Sequence, residues 1–102
     1  KELILTNRLL SAEEACAWGL VSKVVPADQL MDEAMGLARK FAAGPTKAYG
    51  VAKNLLTTAY SQSLEAQLDA ESRGIALTMS SRDGRHGIDS FLHKKKPEYT
   101  GE

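Results

Sequence analysis

Cysteine is almost missing from this sequence: Cys16 is the only one among 102 residues. A disulfide within the chain is therefore impossible, which points to a reducing compartment. Cys16 itself reads as a small core residue on a short helix rather than as a nucleophile. Aromatic residues are scarce at 6%, so a core must be built from Leu, Val, Ala and Met, and such a core is completed by packing on partners. Charge of either sign is not in excess, and the net charge is zero; a dedicated nucleic-acid-binding domain is usually strongly basic. No apolar run reaches the length of a membrane span, and no secretory leader opens the chain. An initiator Met is missing too, because the chain opens Lys1-Glu-Leu-Ile-Leu5 in mid-pattern. The expectation is a segment of a longer protein, cytoplasmic, or of the mitochondrial matrix if eukaryotic.

What is present is a succession of helix signals. The apolar fraction of 43% and the charged fraction of 25% are those of a globular chain. Residues 1–5 read as the last turn of a helix or an extended lead-in. Ser11-Ala-Glu-Glu14 matches a capping box, and Gly19 supplies the residue past the end of the short helix that follows. Leu20-Val-Ser-Lys-Val-Val25 alternates and is β-branched, which predicts a short strand, with Arg8-Leu9-Leu10 as its nearby partner. Pro26 ends it. Asp28 can cap the next helix, whose apolar positions Leu30, Ala34, Leu37, Ala38 and Phe41 follow the helical period. Gly44-Pro45 marks both the end of that helix and the start of another, over about 45–60. Gly50 inside it suggests either close approach by another backbone or a glycine that the helix simply tolerates. Ser63 caps a helix over 64–80 that is expected to turn Leu64, Leu68, Ile75 and Met79 inward, with Asp69 and Arg73 as a favourable i,i+4 pair. After the polar break Ser80–Asp83, a last helix runs from about Asp83 to Lys95 on an Ile88, Phe91, Leu92 stripe. The tail Glu98–Glu102 is expected to be loose. The fold class is thus mainly α, with one short β-strand or strand pair, and the chain forms a single unit over 1–102.

Signatures of chemistry are few. The sequence has no glycine-rich phosphate loop, no paired cysteines, no HExxH and no G-x-S-x-G. Glu13, Glu14, Glu65, Asp69 and Glu71 fall on polar helix faces or caps. His86 and His93 lie on one side of the last helix, but seven residues at a rise of about 1.5 Å each set them roughly 10 Å apart. A zinc ligand nitrogen must lie within about 2.1 Å of the metal, so the two histidines cannot share an ion. Asp89 and His93 could, yet two ligands close no site. Lys94-Lys-Lys96 ends the helix, where cations offset the macrodipole. The other reading is an anion site in which lysines meet phosphate as point charges. Nucleic acid is the weaker candidate, since no aromatic residues interleave with the lysines.

Three segments taken together resemble one family. LILTNRLLSAEEACAWGLVSKVVP (3–26), FAAGPTKAYGVAKNLL (41–56) and DGRHGIDSFLHKKKPEYTG (83–101) are similar, in order and spacing, to the closing part of the enoyl-CoA hydratase/isomerase (crotonase) superfamily. The resemblance implies the C-terminal helical portion of a crotonase-like fold. It also implies that an N-terminal spiral of ββα repeats, holding the oxyanion hole and the catalytic carboxylates, lies upstream of Lys1. No catalytic residue and no metal ligand is then expected in this chain, and no cofactor beyond the coenzyme A thioester that serves as substrate. The implied partners are acyl-CoA and further copies of the chain, as trimers or hexamers, with neither nucleic acid nor membrane. Lys94 is the best match to the family's phosphate-contacting lysine, with Lys95 and Lys96 as close alternatives. Ile75 matches the bulky residue near the adenine, although it cannot stack. The sequence departs from the family at His86, commonly Glu, and at Asn7, commonly Gly. A non-catalytic self-association module is the alternative function, and a basic-tailed nucleic-acid binder the distant third.

Overall fold

The computed structural model describes residues 1–102 and contains six α-helices and no strand. These are α1 (Glu2–Thr6), α2 (Ala12–Ala17), α3 (Leu30–Ala42), α4 (Thr46–Thr58), α5 (Leu64–Met79) and α6 (Arg82–Leu92), with a 3₁₀ turn at Ala27–Gln29 before α3. The chain divides into two units, Lys1–Met35 and Gly36–Glu102.

In the first unit the helix ends follow local rules. α1 closes on Asn7, which adopts a left-handed backbone at φ 50° and donates its N–H to the Leu3 carbonyl. Asn tolerates that conformation better than most residues. Ser11 caps α2 by accepting the Glu14 N–H at 3.1 Å. The capping box is only half made, however. The Glu14 carboxylate takes the Arg8 guanidinium on both oxygens, at 3.0 and 2.8 Å. Arg8 also reaches Glu2 at 2.8 Å and lies 5.0 Å from the Trp18 ring centroid, a cation–π distance.

The strand expected over Leu20–Val25 is absent. Two of its backbone donors are consumed at the helix end: the Leu20 and Val21 N–H groups both point to the Ala15 carbonyl, at 2.9 and 3.4 Å. Its expected partner, Arg8–Leu10, is irregular, and Arg8 is committed to carboxylates. With no second edge to pair, alternation alone cannot form a ladder. Asp28 likewise caps nothing; it lies inside the 3₁₀ turn, which has no side-chain cap.

In the second unit α5 packs against both α4 and α6. The face it uses reverses the expectation. Leu64, Leu68, Ile75 and Met79 are exposed, whereas Gly74 is buried and Gln67, Ala70 and Thr78 are partly covered. The reason is distance. A Cβ on Gly74 would lie 2.8 Å from Val51 Cγ1 and 3.3 Å from Leu55 Cδ1, so α4 and α5 meet where one has no side chain. At the next corner, a Cβ on Gly84 would strike the Thr78 carbonyl oxygen and stand 2.9 Å from Met79 Cα. No large apolar side chain is buried anywhere in the chain. Gly50 has open space around it instead of an approaching backbone.

These two glycines predict opposite outcomes. Gly84→Ala pushes a methyl into backbone and should lower stability by about 1–3 kcal/mol in denaturant titration. Gly50→Ala, by contrast, should raise it by up to about 1 kcal/mol through helix propensity.

Candidate functional site

Helix α6 begins at a serine cap that the sequence reading did not single out. The Ser81 hydroxyl accepts the Gly84 N–H at 3.0 Å and donates to the Thr78 carbonyl at 2.6 Å. This ties the end of α5 to the start of α6 and places Asp83 in the first turn. Asp83 is only 3% exposed. A buried carboxylate needs donors, and it finds them in the tail. Oδ1 accepts the Thr100 N–H at 2.9 Å and the Thr100 hydroxyl at 3.2 Å, while Oδ2 accepts the Gly101 N–H at 2.8 Å. The Asp83 N–H in turn donates to the Glu102 carbonyl at 2.8 Å, and Arg82 pairs with the Glu102 carboxylate at 3.1 Å. Gly101 turns at φ +86°, with Thr46 Oγ1 only 2.8 Å from where a Cβ would stand. The tail expected to be loose is therefore held. Its thermodynamic counterpart is a carboxyl kept below the usual aspartate range, first by the Thr100 N–H and then, against the opposing effect of burial, by the Gly101 N–H.

Beside this clasp lies a cavity of about 350 Å³, open to solvent and mainly apolar. Pro45 and Ala48 line it from α4 and its approach, Met79 from α5, Ile88 and Phe91 from α6, and Tyr99 from the tail. Lys47 is the one cation on its wall. Phe91 is nevertheless 82% exposed, so the apolar stripe expected to bury α6 faces outward. The buried residues of that helix are Asp83 and Ser90.

The residues proposed from sequence stand elsewhere. Ile75 is exposed on α5, and Lys94, Lys95 and Lys96 are exposed beyond the end of α6. None of them lines the cavity. α6 stops at Leu92, three residues before the expected Lys95. His93 ends it with its N–H on the Asp89 carbonyl, and Lys94 turns left-handed at φ 54°. That turn lets the Lys95 N–H reach back to the Ser90 carbonyl at 2.8 Å. None of the three lysines is held in an ion pair. His93 Nδ1 lies 3.2 Å from Asp89 Oδ1, while His86 is turned to the tail, with Nε2 3.2 Å from the Glu98 nitrogen. No group of three His, Cys, Asp or Glu side chains is placed to hold a metal ion. Sequence reasoning missed the tail contacts of both Asp83 and His86, having weighed His86 only beside His93 and against the family pattern. A first-turn acid is explained well enough by the helix dipole, and nothing local announces a partner seventeen residues away.

Comparison with known proteins gives a consistent result. The family model described as enoyl-CoA hydratase/isomerase matches residues 1–102. A 1,2-epoxyphenylacetyl-CoA isomerase of Escherichia coli (strain K12) is 39% identical over 100 residues, covering 98% of this chain and 38% of the relative. The human enoyl-CoA hydratase domain-containing protein 3, mitochondrial, is 35% identical over 101 residues, covering 99% and 33%. Among solved structures, an enoyl-CoA hydratase from Bacillus anthracis superposes with a TM-score of 0.89 at 34% identity, over 100% of this chain and 40% of that one. An enoyl-CoA hydratase subunit I from Geobacillus kaustophilus HTA426 gives 0.94 at 33% identity, over 99% and 39%. The chain thus spans about two fifths or less of the length of these relatives.

The clasp makes a pH prediction. A carboxyl held below its ordinary value stabilises the fold above the unfolded aspartate range, near pH 4, and that contribution is lost as pH falls through the lower folded value. Protection of the Thr100 and Gly101 amides from hydrogen exchange should therefore survive at pH 5 and be lost only once pH falls below the ordinary aspartate range. Asp83→Asn, which turns an amide donor towards one of these N–H groups, should weaken that protection already at neutral pH.

Proposed function

The chain belongs to the enoyl-CoA hydratase/isomerase family, and from that premise we propose that it forms the C-terminal helical part of an acyl-CoA-metabolising hydratase or isomerase. In this reading it covers the acyl-CoA site, contacts the coenzyme A phosphates and drives assembly into trimers or hexamers. The observation that carries the reading is the family match over the whole chain, joined to its partial coverage of relatives that are named for hydration or isomerisation of CoA esters. The exposed apolar side chains support it. Leu30, Met31, Leu37 and Phe41 on α3, and Leu64, Leu68 and Ile75 on α5, are all uncovered in the chain by itself. A large exposed apolar surface marks a contact with other protein, here the remainder of the enzyme or its other subunits. The catalytic carboxylates and oxyanion hole would lie in that remainder. The acyl-CoA thioester is the substrate, and no separate cofactor is called for.

Lys94 is the residue proposed to meet a phosphate. Its left-handed backbone costs about 1–2 kcal/mol for a residue with a Cβ, and the Lys95-to-Ser90 hydrogen bond holds the turn. An unpaired ammonium at a fixed turn suits a phosphate as a point charge. Lys95 is its neighbour in the same role, and Ile75 would offer the adenine an apolar contact without stacking. A cytoplasmic or mitochondrial-matrix setting fits the single cysteine. No helix is long and apolar enough to cross a membrane. The same exposed faces favour one second reading, a self-associating module that binds no nucleotide.

Two measurements test these readings, and the second separates them. The 102-residue chain alone should show no turnover of crotonyl-CoA; measurable hydration would place catalytic groups inside it. In the assembled parent enzyme, Lys94→Glu should raise KM for a CoA ester about threefold to tenfold at low salt with kcat little changed, and the effect should shrink at high ionic strength. An unchanged KM would remove the phosphate contact and leave self-association.

A further inference from the structure

The tail is anchored to α6 at a second point, and that point is an imidazole. The Glu98 N–H donates to His86 Nε2 at 3.2 Å. A backbone N–H is a donor at every pH, so this contact settles the imidazole: Nε2 carries no proton, and the neutral ring has its proton on Nδ1. The Ser90 hydroxyl, 3.4 Å from the same nitrogen, is then a further donor to it. Ser90 is buried at 3% exposure. Tyr99 sits between the two anchors, His86 holding Glu98 and Asp83 holding Thr100 and Gly101. Its ring lies over Gly87, where a Cβ would stand 3.2 Å from the Tyr99 hydroxyl oxygen, and it forms one wall of the apolar cavity.

We propose that His86 is a proton-operated latch on the carboxy-terminal strap, and that protonating it releases Glu98 from α6 and loosens the Tyr99 wall of the cavity. Protonation places an N–H on Nε2, where two donors already converge. The Ser90 hydroxyl can rotate away from it, but the Glu98 N–H cannot, and it loses its acceptor. Imidazole is the side chain that ordinarily changes charge between about pH 5 and 8, whereas a carboxylate or amide in its place would accept throughout that range. The charged groups around His86 are Arg82 and Asp83 from α6 and Glu98 from the tail, which share a hollow with it, together with Asp89 three residues further along the helix. Arg82 is engaged with Glu102, both Asp83 oxygens with Thr100 and Gly101, and Asp89 with His93. Glu98 alone is left to pair with the imidazolium. Its attraction keeps the strap near the helix, so the expected change is the loss of one backbone hydrogen bond and a mobile Tyr99, with the Asp83 clasp intact.

The test is residue-resolved amide exchange on the intact protein at pH 8 and pH 5.5, each corrected for intrinsic exchange. Glu98 protection should fall about threefold to tenfold at the lower pH, the change expected for one neutral hydrogen bond, while Thr100 and Gly101 keep theirs. His86→Gln, whose amide oxygen accepts at both values, should hold Glu98 protection constant; His86→Ala should show the low value at both. In the unsubstituted protein, the imidazole nitrogen shifts of His86 should follow the same midpoint as Glu98 protection, and Tyr99–Gly87 proton contacts should weaken over that range. Glu98 protection that does not change with pH, that falls equally in His86→Gln, or that changes with a midpoint unlike that of His86 would overturn the latch.

Discussion

Helices in this chain approach one another through residues that have no bulk, and much else follows from that constraint. Gly74 lets α5 close on Val51 and Leu55 of α4, and Gly84 lets the first turn of α6 sit against the last carbonyls of α5. With Val51 and Leu55 filling that contact, α5 has no room for a large side chain of its own there, and its Leu64, Leu68, Ile75 and Met79 are turned outward. The apolar surface that would form the core of a self-sufficient domain is instead available to a partner. A small domain that buries little of its apolar surface is marginal on its own, which agrees with a family whose members extend well beyond this segment.

Polar burial takes the place of an apolar core at the α5–α6 corner. Ser81 bridges the two helices, Asp83 collects three donors from the tail, and Ser90 completes the set beside His86. A buried carboxylate that is fully hydrogen-bonded specifies one arrangement of the groups around it. The tail is consequently a structural member of the second unit, and it carries Tyr99 into the cavity wall. In the first unit Arg8 has a comparable organising part, joining Glu2 and Glu14 and lying near the Trp18 ring. It also depresses the Glu14 carboxyl, chiefly through the side-chain hydrogen bond between them.

Legibility in the sequence followed the range of the interaction. The Ser11 and Ser63 caps, the ends of α3 and α4 near Gly44-Pro45, and the Asp69–Arg73 pair depend on residues within a turn or two, and they stand where the pattern placed them. The strand failed because a ladder needs a second edge, which alternation within one segment does not reveal. The inward face of α5 failed for a related reason. Hydrophobic periodicity marks the face that some partner will cover, and it does not say whether that partner is the neighbouring helix of the same chain. Asn7 adopts a left-handed backbone, a conformation that asparagine tolerates better than most residues.

By itself the sequence determined the order and spacing of the five helices from α2 onward, the Ser11 and Ser63 caps, and the family, because these rest on short-range chemistry and on ordered motifs. The basic run beyond α6 was equally plain, although a helix end and an anion contact ask for the same lysines. Only the tertiary structure decided which faces meet, that no strand forms, that Asp83 is buried, and that His86 must accept a proton donor from Glu98. Each of these turns on groups separated by many residues and brought within about 3 Å, where sterics and hydrogen-bond direction leave one arrangement.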